Sequence, residues 1–546
     1  MPYVVTRSCC ADASCVLACP VNCIHPAPGE PGFGTAEMLY VDPRTCVDCG
    51  ACTTACPVDA LKPHTALGEA ELPFIELNAS YYKENPHSDR TPMYVVPRQR
   101  AIPAGQLSVA IVGAGPAGLF AADALLRHPG VRVTVLDRLP TPYGLARAGV
   151  APDHQDTKQV AELFRTIESQ PGFNYRLGVE VGTHVTHADL LREHHAVLYA
   201  VGAATDKRLG IEGEDLRGSA SATDFVAWYN GHPDHADDAP ALDTARAVVI
   251  GNGNVALDVA RILTADPDAL ARTDISDRAL AALRGSKVRE VVLLGRRGPA
   301  QAAFTVPELL ALSALKDVDV SVEGWPDDLA ADATEKTRLL SRLAARTPVE
   351  GRRRIVLRFL TSPVRLIGDG TVRALEITDT ALHTDEDGTV RAVPTGDPRT
   401  LETGLVLRSV GYRARPVPGL PFDEVTATVP HERGRVEPGV YVAGWIKRGP
   451  TGFIGTNKTC AHETVESLLD DFAAGRLTPP ARDVRRRTDG SDDLGLDAWR
   501  AIDRAERAAG DAQGRPRVKF TDTESLHRAA RTASSGPLQV RHPLPR

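Results

Sequence analysis

The sequence predicts an α/β protein with two wound parallel-sheet domains behind a small α+β module. Three observations carry this. From LSVAIVGAGPAGL to about residue 475, β-branched runs alternate with Ala/Leu-rich helical stretches, the pattern of strand–helix units on a parallel sheet. Two glycine fingerprints recur there, VAIVGAGPAGL at 109–119 and AVVIGNGNVALDVAR at 247–261, so each sheet is expected to be Rossmann-like. Nine of the ten cysteines fall in the first 56 residues.

The chain has 546 residues, too many for one core, and several domains are expected. Residues 1–75 read as a cysteine module and 76–107, rich in Pro and polar groups, as a linker. The first wound domain is expected over 108–205 and again over 400–480, with the second inserted at 206–399. A C-terminal extension, 481–546, carries one predicted helix near DAWRAIDRAERAA and a solvated patch at Arg485, Arg486 and Arg487. No apolar run has the length of a membrane span, and MPYVVTRSCCADA lacks a signal-peptide core. A cytoplasmic location is expected, where thiols stay reduced and disulfides are a poor explanation of the cysteines. A net charge of −7 argues against nucleic-acid binding. Up to Glu76, nine acidic residues face only Arg7, Arg44 and Lys62, a balance suited to docking on a basic partner.

The cysteine module repeats internally: CVLACPVNCI (15–24) matches CTTACPVDAL (52–61). CVDCGACTTACP fits the iron–sulfur run C-x2-C-x2-C-x3-C-P, in which the fourth cysteine ligates the other cluster. Cys46, Cys49 and Cys52 are therefore expected to hold one cluster together with Cys19, the cysteine of the other C-P pair. Cys56 reaches back to join Cys9 and Cys15. A structural zinc site would instead use C-x2-C knuckles without the C-x3-C-P extension. The first set reads C-x2-D-x2-C, with Asp12 where a cysteine belongs. Either this harder oxygen ligand completes a second [4Fe-4S] cluster, or a [3Fe-4S] core remains. Cys10 and Cys23 fall off the ligand spacing.

In the first fingerprint Gly113, Gly115 and Gly118 permit a tight turn and close approach of a pyrophosphate to a helix N-terminus. Asp137 ends the next strand, where an acid meets a ribose hydroxyl. The second fingerprint has Gly251, Gly253 and Ala256, and its next strand ends in Arg296 and Arg297, suited to the 2′-phosphate of NADP. NADPH gives up electrons as a pair and an iron–sulfur cluster takes them singly, and a flavin does both. The first site is thus expected to hold FAD and the second NADP.

Residues 1 to about 75 resemble the seven-iron bacterial ferredoxins, with a shorter Cys9-to-Cys15 spacing than is commonest there; the resemblance implies a bacterial ferredoxin-like domain with one [3Fe-4S] and one [4Fe-4S]. Residues 108 to about 530 resemble the adrenodoxin-reductase type of ferredoxin–NADP reductase, through GAGPAGL, PTPYGLARAGVAPDHQ, YAVGA, GNGNVALDVAR, RRGPAQAAFTVPEL, SVGYR and AGWIKRGPTGFIGTN. The whole chain is similar to the fused ferredoxin/ferredoxin–NADP reductases of actinobacterial type. The resemblance implies FAD contacts at Ala117, Asp137, Leu145, Val181, Trp445, Gly452, Phe453 and Ile454. It implies NADP contacts at Lys207, Asn252, Gly253, Asn254, Val255, Arg296, Arg297, Glu308 and Gly452, and places His154 near the flavin, where it either tunes transfer or is a loop histidine satisfied by backbone. Asp137 stands in place of a glutamate usual there, and Lys207 in place of an arginine. The implied activity moves electrons between NADPH, FAD and clusters to a one-electron acceptor such as a ferredoxin or a cytochrome P450. The alternative is an electron-input subunit resembling the small subunit of glutamate synthase.

Overall fold

The two matching cysteine segments fold alike. In the computed structural model, which describes residues 2–93, 107–326, 329–330, 334–386, 388–481 and 493–531, each segment turns through a left-handed residue into a short helix. Ala13 (φ 60°) precedes Ser14–Ala18, and Gly50 (φ 74°) precedes Ala51–Ala55. Each helix stops at an extended cysteine, Cys19 (ψ 116°) or Cys56 (ψ 120°), because the proline that follows disfavours helical geometry before it. Two antiparallel pairs, Tyr3–Val5 with Leu61–Pro63 and Ile24–His25 with Tyr40–Val41, complete the α+β unit.

This unit continues past residue 75 into the stretch expected to be a linker. Helix Pro73–Glu84 buries Phe74, Asn78 and Tyr82 against it. Asn78 Oδ1 accepts from the N–H groups of Val5 (3.2 Å) and Val41 (2.9 Å), and its Nδ2 donates to Val5 O (2.9 Å) and Phe74 O (2.8 Å). The Tyr82 hydroxyl lies 3.0 Å from Cys23 O and 2.7 Å from Tyr40 O. A buried face built from Asn and Tyr carries no strong apolar period, so polarity misread it as linker. The rest of the expected linker, 94–106, lies outside the described residues.

The first large sheet has the order Arg435–Glu437, Val440–Val442, Ala196–Tyr199, Leu107–Val112, Val131–Asp137, Phe173–Leu177, parallel except at its first pair. The second is wholly parallel: Ser219–Ser221, Leu405–Arg408, Arg246–Ile250, Glu290–Leu294, Arg353–Arg358, Val318–Glu323. Both draw their runs of Val, Leu and Ile from strands covered on two faces, hence almost fully buried. The second sheet includes Leu405–Arg408, so the chain returns to the first sheet after residue 408 rather than at 400. Between its last strands sits an antiparallel sheet of Thr361–Gly368, Val372–Thr384, Val390–Pro394 and Arg399–Glu402, which the sequence reading did not separate.

The C-terminal helix is Leu496–Asp511, and a second, Thr523–Arg531, packs beside it. Trp499 and Ile502 enter the apolar cluster of the first sheet, and the buried Lys519 pairs with Asp274 at 2.8 Å. The arginine run 485–487 lies outside the described residues. Among the described residues, no helix is long and apolar enough to cross a membrane.

Candidate functional site

Each glycine fingerprint sits where a strand yields to a helix: Leu107–Val112 to Pro116–Leu126, and Arg246–Ile250 to Asn254–Thr264. In the first, Gly113 stands at φ 107°, and a Cβ there would lie 2.4 Å from Ala200 O. A Cβ at Gly118 would lie 2.0 Å from Gly113 O, whereas Gly115 has nothing within 4 Å. The second turn repeats the pattern: Gly251 (φ 126°) is closed off by Ser409 O, Gly253 is open, and Ala256 is fully buried. A tight turn, an open glycine and a close-packed third position leave a helix N-terminus accessible to a pyrophosphate.

Around the first turn, Asp137 Oδ2 accepts from Ala114 N–H (2.8 Å) and Oδ1 from Leu139 N–H (2.9 Å). Burial nonetheless raises the Asp137 pKa, against these donors. Gly444 approaches Ala117 so closely that a Cβ would lie 2.7 Å from the alanine's own. Helix Trp445–Arg448 follows, with Trp445 Nε1 donating to Thr451 O (3.1 Å). Gly452 (φ 80°) and Phe453 wrap onto Thr456, whose hydroxyl accepts from Phe453 N–H (3.0 Å). Leu145 is an apolar side chain left 38% exposed, and Val181 is half-buried in a bridge to Val185. Arg448 was missed by the sequence reading, since one arginine after Trp-Ile-Lys has no spacing signal. Its Nη2 donates to Thr451 O (2.9 Å) and Asn457 Oδ1 (3.2 Å), but its buried Nε and Nη1 find no acceptor among the described residues. A half-buried cation with unspent N–H groups near an open glycine turn fits an anionic dinucleotide.

On the second turn, Asn252 and Asn254 tie the fingerprint to the next segment. Asn252 O accepts from Phe304 N–H (2.9 Å), and Asn254 Oδ1 accepts from Thr305 N–H (2.9 Å). Val255, next in the helix, is half-buried. Arg296 and Arg297 are exposed just past strand Glu290–Leu294, and neither forms an ion pair among the described residues. Lys207 is also exposed, its N–H bonded to Gly411 O (3.0 Å). Glu308 lies in the first turn of helix Val306–Ser313.

His154 and Glu308 converge on Arg261, a second residue the sequence reading passed over. Its signal was an arginine on the buried face of Asn254–Thr264. Arg261 donates to Asp153 Oδ1 (3.1 Å) and Asp258 Oδ1 (2.8 Å), and its Nη1 lies 3.9 Å from Glu308 Oε2. His154 Nε2 faces Arg261 Nη2, which can only donate, so the neutral ring carries its proton on Nδ1. Burial, then the charges of Arg7 and Arg261, hold the His154 pKa well below its ordinary value. Burial lifts Asp258 to about 7 against the pull of Arg261. Arg7 comes from the cysteine module and lies 3.9 Å from Glu308 Oε1, so this network joins three parts of the chain.

Cys19, Cys46, Cys49 and Cys52 line one cavity, with Cys49 exposed to solvent. Cys9 and Cys56, with Asp12, lie close enough to Cys15 to push its thiol up further after burial. Cys19 thus lies with the second set and Cys56 beside the first. Four soft thiolates around one cavity fit a [4Fe-4S] cluster, and three beside a carboxylate fit an iron–sulfur core with one harder corner. Cys23 was set aside on spacing, yet its Sγ lies 3.4 Å from that of Cys19 at the edge of the same cavity.

The first cysteine set is seated on the first wound domain. Gly455 N–H donates to Cys10 O (2.8 Å), and Lys458 reaches Asp12. Ile454, Cys9 and Cys56 pack on one apolar cluster, which holds Cys10, Val58 and Ala60 as buried members. Toward the second domain, Glu37 Oε2 accepts from Val306 N–H (2.7 Å) and Lys316 pairs with Glu69 (2.7 Å).

Residues 107–292 match the pyridine nucleotide-disulphide oxidoreductase family, and 39–62 match the 4Fe-4S binding domain. The chain is 51% identical to a probable ferredoxin/ferredoxin–NADP reductase of Mycobacterium tuberculosis, covering 99% of this chain and 97% of that protein. It is 50% identical to the protein of the same description in Mycobacterium leprae, over 99% and 100%. A solved structure, Mycobacterium tuberculosis FprA in complex with NADPH, superposes with a TM-score of 0.75 at 44% identity, covering 78% of this chain and 99% of that one.

Proposed function

The chain belongs to the ferredoxin/ferredoxin–NADP reductases, NADPH-dependent oxidoreductases, and from that premise we propose how its residues divide the work. It is a flavin- and NADP-binding reductase with a 4Fe-4S binding domain. The reading assigns FAD to the Gly113–Gly118 turn and NADP to the Gly251–Ala256 turn, with Arg296 and Arg297 on the 2′-phosphate. Cys19, Cys46, Cys49 and Cys52 hold a [4Fe-4S] cluster, and Cys9, Cys15 and Cys56 hold a [3Fe-4S] core. The flavin, when bound, takes the hydride pair of NADPH and releases electrons one at a time. The segment that carries this reading runs from Gly444 to Lys458. Gly444 abuts Ala117 of the first fingerprint, helix Thr456–Ala473 packs on helix Pro116–Leu126, and Gly455 and Lys458 touch Cys10 and Asp12, so the flavin domain and the first cysteine set meet along one segment.

No side chain needs to act as acid or base on the nicotinamide, because orientation is what hydride transfer requires. Asn252 and Asn254 fix the nucleotide turn against the Glu308 helix. Burial, with the charges of Arg7 and Arg261, keeps His154 neutral, and Arg261 orients its ring. Trp445 and the Gly452–Phe453 turn shape the space beside the first fingerprint. The acceptor is a ferredoxin or another one-electron carrier such as a cytochrome P450, in the reducing cytoplasm where thiolates remain available as ligands. Anaerobic addition of NADPH to the intact protein tests the reading. Bleaching of flavin absorbance should be followed by a change in the iron–sulfur EPR signals. Flavin reduction with EPR signals unchanged, even with excess NADPH and a regenerating system, would overturn the link between the two modules.

A further inference from the structure

We propose that Lys458, a residue of the reductase part of the chain, fixes the iron content of the first cluster site by withholding Asp12 from the metal. This rests on the reading of Cys9, Cys15 and Cys56 as iron–sulfur ligands. Lys458 stands in the first turn of helix Thr456–Ala473. Its Nζ lies 3.2 Å from Asp12 Oδ2, 3.4 Å from Asp12 O and 3.0 Å from Ser14 Oγ. The Ser14 hydroxyl donates to the same Asp12 Oδ2, and Ser14 N–H donates to Oδ1 at 3.3 Å. Both carboxylate oxygens are therefore engaged, in a place where the Asp12 side chain is only 6% exposed.

The approach that delivers Lys458 is built into the backbone. A Cβ at Gly455 would lie 2.4 Å from the Ala11 carbonyl carbon and oxygen and from Asp12 N, so only glycine lets the two segments meet flush. Gly455 N–H then donates to Cys10 O at 2.8 Å and sets the register. A carboxylate is already a hard, weak ligand for a thiolate-held iron core. One that is also ion-paired and hydrogen-bonded has little left to offer a fourth iron. With the lysine gone, the buried carboxylate has lost its counter-charge, and iron is the cation within its reach. Lys458 is a positioning residue here: it acts on the core through Asp12.

The test uses the full-length protein with both clusters assembled. Wild type, Lys458→Met, Lys458→Arg, Asp12→Asn and the Lys458→Met/Asp12→Asn double variant are compared by EPR and iron analysis. Each is measured as isolated, then after one-electron reduction of the three-iron core by dithionite with added ferrous iron and reoxidation. Wild type, Lys458→Arg and Asp12→Asn should keep the oxidised three-iron signal throughout. Lys458→Met should lose that signal on iron addition and gain about one iron per chain, and the double variant should return to three irons. A Lys458→Met protein indistinguishable from wild type overturns the proposal, as does an Asp12→Asn protein that loses its first core or a wild type that takes up the fourth iron. If Lys458→Met fails to assemble, Asp12→Asn still decides. A wild type with only four irons and no three-iron signal would sink the cluster assignment itself, a separate failure.

Discussion

In the proposed reading two exposed guanidiniums, Arg296 and Arg297, select the nicotinamide dinucleotide at the second fingerprint. Replacing both with alanine removes charge-assisted bonds to a 2′-phosphate. Discrimination against NADH should fall by at least about tenfold, ~1.4 kcal/mol, measured as the ratio of kcat/KM values. An unchanged ratio would show that this turn does not carry the phosphate. His154 gives a pH-dependent prediction at the same scale. Its surroundings are Arg7, Arg261 and Lys158 on the positive side, and Asp153, Asp258 and Glu308 on the negative. The folded ring resists protonation below its ordinary value of 6.5, while the unfolded chain does not. Its contribution to stability is therefore present above about 6.5 and shrinks as pH falls. His154→Gln lacks that loss, so the Tm gap between variant and wild type should narrow from pH 7 to pH 5. A gap that widens on the acid side would contradict the neutral-ring assignment.

Helix Pro73–Glu84 shows how one element holds the cysteine module together. Its Asn78 serves two strands at once, through the N–H groups of Val5 and Val41 and the carbonyl of Val5. Asn78→Leu leaves these backbone groups buried without partners, at a cost of about 1–3 kcal/mol for each group left unsatisfied. Thermal bleaching of the iron–sulfur absorbance should move to lower temperature in that variant, while flavin release from the downstream sheets keeps its midpoint. Joint movement of both transitions would mean that the module and the reductase unfold as one unit. Other elements have simpler logic: the two C-P helices end where the following proline disfavours continuation, leaving Cys19 and Cys56 in extended backbone.

Across the whole molecule, the cysteine module bridges both wound domains rather than hanging from one. It meets the first through Gly455 and Lys458, and the second through Val306, Lys316 and Glu308. Both nucleotide turns nevertheless lie downstream of residue 107. A chain starting near residue 107 should remain yellow and reduce ferricyanide with NADPH. Its cytochrome c reduction should fall at least about tenfold, because the one-electron module is gone. A colourless product would show that the bridge is needed for the reductase to fold.

Much of this protein was legible because its signals are local. Glycine spacing fixes a turn within six residues, C-x2-C-x2-C-x3-C-P fixes a ligand run, and proline fixes where a helix stops. From these come the two glycine turns, the paired arginines after the second, and the expectation of crossed cysteine sets. Helix Pro73–Glu84 was not legible, because Asn78 and Tyr82 give its buried face no strong apolar period and its partner strands, Tyr3–Val5 and Tyr40–Val41, are distant in sequence. The strand Leu405–Arg408 belongs to the second sheet through pairing with Arg246–Ile250 and Ser219–Ser221, a long-range choice with no local mark. Arg261 was marked only as a charge on a buried helix face, and Arg448 and Lys458 gave no signal. Each matters through the residues it meets: Asp153, Asp258 and His154 for the first, an unfilled set of donors for the second, and Asp12, 446 residues away, for the third. A buried charge takes its meaning from its neighbours, and only the tertiary fold chooses them.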